Sequence, residues 1–289
     1  MINFPLKPSR RTFLKSAAAL AACTAARVEA HPLRLPIGLQ LYSVRNLLPK
    51  DFDGTLAQVH AAGYTVVEAA GYFDRSAKEF RHSMDQAGLR CVSTHHTLKQ
   101  LTTEFDRWAD YAHELGLEYI VCSSSGGMHR NAAATGAPTL DDWRWIAGEF
   151  NRVGEKVKAA GMTFGVHNHT PEFAAIEGTL VYDELLRLTD PQYVVFEMDS
   201  GWVFASGHDP LTYLRRSPQR FPLMHVKDMI KGANGQIHAT ELGRGDIHYA
   251  PILRAATGLK YYFVEQEEFD IDPIQALRID AEYMRKLNI

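Results

Sequence analysis

The sequence predicts a single α/β domain folded as a (β/α)8 barrel, and three observations lead to this fold class. Eight short apolar runs alternate with helical stretches along the chain, as the repeated strand–helix unit of a barrel requires. The runs are nearly continuous in apolar character, which is typical of parallel strands covered on both faces. The 289 residues also suit one such domain, because barrels of this kind occupy about 250 residues.

The predicted strands are spaced along the whole domain. We place them at approximately 35–42, 65–70, 90–95, 118–123, 163–168, 193–199, 221–227 and 261–266. Five of the runs begin shortly after a glycine that follows a helical stretch, namely Gly63, Gly88, Gly116, Gly161 and Gly258. Glycine at this place commonly adopts the left-handed conformation that ends a helix, so these glycines predict helix C-termini.

Three helix N-termini are also predicted. Ser76 with Glu79 forms the pattern of a capping box, Thr139 precedes a helical apolar stripe, and Asp272–Pro273 opens the last helix. The alternative fold, an open doubly wound sheet, would require a glycine-rich phosphate loop after an early strand, and the sequence has no G-x-G-x-x-G motif. No linker divides the chain, so the barrel domain is predicted to span residues 31–289.

The first 30 residues predict an export signal. Residues Ser9–Lys15 read S-R-R-T-F-L-K, which matches a twin-arginine signal. The alanine-rich stretch Ser16–Ala25 follows, and it is too short to span a bilayer. Small residues before His31 allow cleavage there, so residues 1–30 are predicted to be a signal peptide. The expected partner is the twin-arginine translocase, and the expected location is the periplasm or beyond.

The cysteines leave one alternative to simple cleavage. Leu20–Cys23 resembles a lipoprotein box, which would leave Cys23 as a lipid anchor at the membrane. The other two of the three cysteines, Cys91 and Cys122, lie inside apolar runs and are predicted to be core residues. A CxxC zinc motif is absent from the sequence.

Each of the last four predicted strands ends in two polar residues that share one face of the strand. The pairs are His167 with His169, Glu197 with Asp199, His225 with Lys227, and Glu265 with Glu267. If that face is the barrel interior, burying so many ionisable groups would be costly unless they were paired or bound a metal. Catalytic groups of such barrels gather at the C-terminal strand ends, so the pairs predict a functional site there.

A metal site is predicted from Asp199, His225 and Glu265 at successive strand ends. Carboxylate and imidazole ligands suit one divalent ion among Mn, Mg, Co, Fe and Zn. The fourth ligand is expected from the fifth strand. His167 has the best position for it, and Glu172 in the following loop is the alternative.

Residues near the other strand ends are predicted to contact a substrate. Those at the early strands are interpreted as substrate hydrogen-bonding groups or structural residues rather than metal ligands. Trp202 has two interpretations, stacking on a sugar ring or packing under the rim, and Arg244 is either a contact for an anionic group or, as the sequence favours, a plain surface residue. The residues are Gln40, Glu68, His95, His96, Trp202 and Arg244.

Several function classes are disfavoured by the sequence. The net charge of −3 and the lack of a long Lys/Arg run argue against nucleic acid as a partner. The sequence contains no G-x-S-x-G elbow and no Walker loop. Glycoside hydrolysis by paired carboxylates stays open, because Glu197, Glu265 and Glu267 are predicted to lie near the rim.

The chain resembles the sugar phosphate isomerase/epimerase group of xylose-isomerase-like TIM barrels, also called the AP endonuclease family 2 superfamily. The resemblance covers the chain from about residue 36. It rests on the segments GLQLYSVR, VVEAAGYF, VSTHH, GVHNHTPEF, FEMDSGWVFASGHDP, LMHVKDM, ELGRGDIHY and FVEQEEF. The resemblance implies one divalent metal held by Glu, Asp, His and Glu from strands five to eight, and two glutamates that move a proton through an enediol.

This sequence matches the implied ligand set at Asp199, His225 and Glu265 and departs from it at the first position, where His167 replaces glutamate. The departure leaves Glu265 as one acid/base group. Another is then required, and the candidates are His169, Glu172 and Lys227.

The sequence therefore predicts an exported, metal-dependent isomerase or epimerase that acts on an unphosphorylated sugar or keto-sugar through an enediolate. One alternative is a metal-dependent lyase or dehydratase acting on a keto-sugar or glycoside. Another is a periplasmic sugar-binding barrel that has lost catalysis, which the replacement at His167 favours. A DNA repair role fits poorly with export and a mildly acidic chain. A homo-oligomer is left open.

Overall fold

The computed structural model describes residues 35–125, 127–233 and 235–289. Eight parallel strands form a closed barrel in which each strand pairs with its neighbours in sequence, and the eighth pairs with the first. The strands are β1 Gly38–Gln40, β2 Val66–Ala69, β3 Arg90–Thr97, β4 Tyr119–Ser124, β5 Thr163–His167, β6 Val194–Asp199, β7 Leu223–Val226 and β8 Tyr261–Val264. The predicted (β/α)8 barrel is confirmed. The predicted signal peptide, its cleavage point and Cys23 lie outside the described residues.

Helices follow the strands around the barrel. They are α1 Phe52–Ala62, α2 Ala77–Ala87, α3 Leu98–Thr103, α4 Phe105–Leu115, α5 Leu140–Ala159, α6 Val181–Leu188, α7 Ser200–Ala205, α8 Pro210–Arg216, α9 Tyr249–Ala255 and α10 Pro273–Lys286. Two short hairpins extend loops at the C-terminal strand ends, Ala175–Ile176 with Thr179–Leu180 and Asp228–Lys231 with Ile237–Thr240. No helix in the described ranges is long and apolar enough to cross a membrane.

The predicted helix ends are confirmed with one exception. The side chains of Ser76, Thr139 and Asp272 accept hydrogen bonds from backbone amides of the first turns of α2, α5 and α10. The glycines after the first four predicted helices have positive φ angles. Gly258 does not. A Cβ there would lie 2.3 Å from the carbonyl oxygen of Pro218, so close backbone approach explains this glycine.

The barrel interior is built in layers. An apolar layer contains Val66, Val92, Tyr119, Val121, Leu223 and Phe263. Side chains alternate along a strand, so residues two positions further on face the same interior, closer to the C-terminal ends. Those residues include Glu68, His225 and Glu265, which are 0%, 0% and 6% exposed. The alternation that buries the apolar layer therefore also directs the polar groups into the barrel.

A separate and larger core lies between the strands and the surrounding helices. Cys91 and Cys122 are buried, as predicted, and both are free thiols.

Candidate metal centre and substrate cavity

A cavity of about 370 Å³ opens where the strands end, on the side of the barrel that carries the predicted site. Its wall combines imidazole, hydroxyl, amide and carboxylate groups. The lining residues are Tyr42, Ala70, Gly71, His95, His96, Thr97, Gln100, Ser123, Ser124, His167, His169, Glu265 and Glu267. A cavity with several convergent polar groups is the usual form of a small-molecule site.

Asp199, His225 and Glu265 meet at the base of this cavity. Strand register places Asp199 beside His225. His225 Nδ1 lies 3.0 Å from Glu265 Oε2 and 3.7 Å from Asp199 Oδ2. Each of the three offers one ligand atom within 4.8 Å of the other two. Ligands about 2.0–2.3 Å from one ion lie about 3 Å apart at right angles and about 4 Å apart when opposite, so the spacing suits a divalent ion.

The two oxygens of Asp199 have different partners. Its Oδ1 accepts a hydrogen bond from the Trp202 amide at 2.9 Å, while the buried Oδ2 has no hydrogen bond among the described residues. Lys227 Nζ lies 2.9 Å from Oδ2, as an ion pair without hydrogen-bond geometry. Burial favours the neutral acid, but Lys227 and the nearby imidazoles outweigh it and lower the pKa of Asp199 to about 2. The carboxylate is thus charged and available as a ligand.

Lys227 is buried among carboxylates rather than exposed in the cavity. Its Nζ lies 2.8 Å from Glu265 Oε2 and also bonds Glu267, and it lies 4.7 Å from the centre of the Trp202 ring. Burial alone would lower the pKa of the ammonium group, but Asp199, Glu265 and Glu267 raise it above its usual value. In the described structure this cation offsets part of the negative charge at the centre.

The two candidates for the fourth ligand lie in different surroundings. His167 Nε2 is 4.0 Å from Asp199 Oδ2, with the ring buried. Glu172 instead accepts a hydrogen bond from the His169 amide at 2.9 Å, and burial raises the pKa of its carboxyl to about 7. His167 faces the centre, while Glu172 is engaged by its own loop. The assignment of His167 as the fourth ligand stays a prediction.

We expect His167→Ala to lower metal occupancy and Glu172→Ala to leave it nearly unchanged. Loss of an imidazole at the centre removes a donor, whereas loss of the Glu172 carboxylate frees only a loop amide. Metal content per chain, measured after equilibration with a defined metal buffer, checks both variants. If Glu172→Ala removed the metal and His167→Ala did not, Glu172 would be the fourth ligand.

Below the centre lies a layer that the sequence did not reveal. Glu197 Oε2 is 2.7 Å from His95 Nε2, 3.1 Å from His167 Nδ1 and 3.2 Å from His225 Nε2. Glu68 Oε1 accepts from Gln40 at 2.7 Å and lies 2.8 Å from His225 Nε2. Burial opposes charge on His95, but Glu68 and Glu197 outweigh it and raise the pKa of this imidazole to about 9.

This layer corrects the predicted position of Glu197. The residue is 0% exposed and does not line the cavity, so it is not one of a pair of rim carboxylates for glycoside hydrolysis. Its parity with Asp199 was the signal that it faces the interior, but no sequence pattern indicated its three histidine neighbours.

The predicted substrate contacts divide into two groups. His95 and His96 line the cavity, as do His169 and Glu265. The others lie outside the described lining. Gln40 and Glu68 are fully buried beneath it, Trp202 packs beside His169 and Lys227, and Arg244 points outward to Glu241 at 3.0 Å. The lining also includes Thr97, Gln100, Ser123 and Ser124, which the sequence did not mark as site residues.

The fold and the site define a class of protein, a (β/α)8 barrel with a carboxylate and imidazole centre at its C-terminal strand ends. The chain belongs to the xylose isomerase-like TIM barrel family, whose model matches residues 56–287. Residues 7–26 match the twin-arginine translocation signal sequence, which indicates export across the membrane.

Similar proteins are sugar-modifying enzymes by name. An inosose dehydratase of Lacticaseibacillus casei is 26% identical over 255 residues, which cover 78% of this chain and 84% of the relative. The crystal structure of a sugar phosphate isomerase/epimerase from Parabacteroides distasonis is 28% identical, with a TM-score of 0.74 over 91% of this chain and 96% of that chain. A xylose isomerase-like TIM barrel protein from Mycobacterium smegmatis, in complex with magnesium, is 15% identical with a TM-score of 0.64 over 87% and 96% of the two chains. This last likeness supports the fold alone.

Proposed function

We propose that this protein is an exported, divalent-metal-dependent enzyme that removes a proton α to the carbonyl of an uncharged keto-sugar and eliminates a β-leaving group. The observation that carries the proposal is the set of Asp199, His225 and Glu265, whose possible ligand atoms lie within 4.8 Å of one another at the base of the cavity. The names of the dehydratase relatives support elimination as the outcome.

Asp199, His225 and Glu265 would hold the ion, with His167 as the fourth protein ligand. A divalent ion held there would supply Lewis-acid polarisation of the substrate carbonyl, which favours loss of the α proton. Glu265 lines the cavity and is the base for the α proton. His95 and His169 also line the cavity, where an imidazole can donate a proton to the leaving group.

The lining favours a substrate without phosphate or carboxylate. Among the described lining residues, no arginine or lysine reaches the cavity wall. Lys227, the nearest cation to the centre, is held by three carboxylates. The wall groups are imidazoles, hydroxyls, an amide and carboxylates, and His95, the lining imidazole whose pKa is raised, is paired with Glu68 and Glu197, which agrees with a neutral sugar or glycoside. Export supports the same substrate class, because phosphorylated sugars are mainly cytoplasmic.

Isomerisation or epimerisation is the second candidate. It requires a second group that exchanges a proton with the substrate, and His169, which lines the cavity, is placed for this role. The name of the 28% identical relative from Parabacteroides distasonis also favours it. Periplasmic location, lipid attachment at Cys23 and homo-oligomerisation stay predictions.

The decisive experiment uses protein purified from its export route. We expect one divalent ion per chain by elemental analysis and, with inososes and other keto-sugars in deuterated water, exchange of one C–H proton followed by loss of the β substituent, both visible by NMR. An isomer formed without loss of a substituent would select the second candidate. Binding of metal and sugar with neither exchange nor product would show a sugar-binding barrel instead of an enzyme.

A further inference from the structure

Glu197 lies directly behind the proposed metal centre and is not one of the residues that line the substrate cavity. Strand register pairs it with His167 on the neighbouring strand, and it stands two residues before Asp199. Its side chain is 0% exposed. One oxygen, Oε2, lies 2.7–3.2 Å from three imidazole nitrogens, and the other, Oε1, has no hydrogen-bond partner among the described residues. The interactions of this carboxylate are thus with histidines.

The hydrogen bonds to Glu197 determine which ring nitrogen of His167 carries hydrogen. All three imidazole nitrogens that reach Glu197 approach the same oxygen, Oε2. A carboxylate can only accept hydrogen bonds, so a nitrogen that bonds it must carry hydrogen. His167 contacts Glu197 through Nδ1, which leaves Nε2 as the nitrogen with the free lone pair.

His167 and His225 differ in how many carboxylates hold them. Carboxylates face both ring nitrogens of His225, with Nε2 2.8 Å from Glu68 and 3.2 Å from Glu197 and Nδ1 3.0 Å from Glu265, so its Nε2 hydrogen has an acceptor besides Glu197. His167 Nδ1 has a hydrogen bond to Glu197 alone among the described residues. The opposite nitrogen of His167, Nε2, is the one that faces Asp199 Oδ2. The tautomer of His167 therefore depends on Glu197, while that of His225 does not.

We propose that Glu197 is a positioning residue for the metal centre, which fixes the Nδ1–H tautomer of His167 and thereby presents its Nε2 lone pair to the ion. The inference rests on the proposed function in one respect, that a divalent ion binds at Asp199, His225 and Glu265. A carboxylate behind a ligating histidine orients the ring and makes it a stronger donor. Glu197 performs this task for His167, and Glu68 performs it for His225.

The test compares Glu197→Gln with Glu184→Gln. Both residues are buried glutamates, but Glu184 pairs with Arg144 and Arg187 on the outer helices, far from the histidines. Competition with a chromophoric chelator measures Zn²⁺ affinity, and imidazole ¹⁵N chemical shifts report which ring nitrogen carries hydrogen. We expect Glu197→Gln to weaken Zn²⁺ binding about 10–100-fold. We also expect His167 to change its tautomer while His225 keeps Nε2–H. Glu184→Gln should leave the affinity and both tautomers at wild-type values.

Three outcomes would overturn the inference. One is a folded Glu197→Gln protein with wild-type affinity and an unchanged His167 tautomer. A second is an Nε2–H tautomer of His167 in metal-free wild-type protein, a measurement that holds even if the variant does not fold. The third is two Zn²⁺ ions per wild-type chain, with Glu197 itself a ligand. If the wild-type protein bound no divalent ion, the proposed metal dependence would be wrong. The His167 tautomer would still show whether Glu197 fixes the hydrogen on Nδ1.

Discussion

We expect Glu265→Gln to abolish most turnover while the protein keeps its fold. The residue follows β8 directly, lines the cavity and lies 3.0 Å from His225 Nδ1 and 2.8 Å from Lys227 Nζ. Glutamine has nearly the same shape, but it cannot accept the α proton, and its neutral amide is a poorer ligand. Turnover should fall by at least ~10²–10⁴-fold, the usual contribution of a general acid or base. Metal affinity should fall with it.

Glu268→Gln is the matched control, because the same change is made three residues further along at an exposed position. Steady-state rates and a metal titration on both variants separate the two effects. Assays at saturating metal remove the binding defect and leave the loss of the base. If Glu265→Gln at saturating metal turned over like wild type, another group would be the base, and His169 or Glu172 would be the next residue to replace.

The sequence was sufficient to predict the fold and which side chains share one face of a strand, because both depend on periodicity. Eight apolar runs separated by helices favour a closed barrel, and alternation of side chains assigns His225 and Lys227 to one face. The structure brings Asp199, His225, Lys227 and Glu265 together, although they come from three strands distant in sequence. The alternation of side chains could be predicted because it is a property of each strand and does not depend on how the strands pack together.

Depth along the barrel axis could not be predicted in the same way. The alternation of side chains along a strand indicates that Glu68 and Glu197 face inward, but it does not indicate that both lie below the cavity floor. That depth follows from register between strands, which places Gln40 beside Glu68 and His167 beside Glu197. Loop residues were less predictable still, because Arg244 turns outward to Glu241 through contacts within its own loop.

Lys227→Met should raise metal affinity, in contrast to Glu265→Gln, and should lower turnover as Glu265→Gln does. The ammonium lies within 2.9 Å of Asp199 Oδ2 and Glu265 Oε2, the two oxygens proposed to hold the ion. Two cations cannot share these oxygens without repulsion, which is worth about 4 kcal/mol for unit charges 4 Å apart near a protein surface. Glu267, whose side chain is 27% exposed at the cavity, also bonds the ammonium and offers it a position away from the ion, which would limit this repulsion. We therefore expect metal affinity to rise about tenfold in the variant.

Turnover should nevertheless fall by about 10²–10³-fold, because an ammonium held by Glu267 beside the cavity would stabilise negative charge that develops on the substrate. The metal-free variant should also unfold more easily, by about 3–5 kcal/mol, since three carboxylates lose their buried cation. Added metal should restore much of this stability. Lys231→Met is the control, because Lys231 is exposed four residues further along the same segment. Metal titration, urea unfolding with and without metal, and the deuterium exchange assay measure the three effects. Weaker metal binding in Lys227→Met than in wild type would mean that the ammonium supports the ligand geometry instead of competing with the ion, and the lysine would then act only through Asp199 and Glu265.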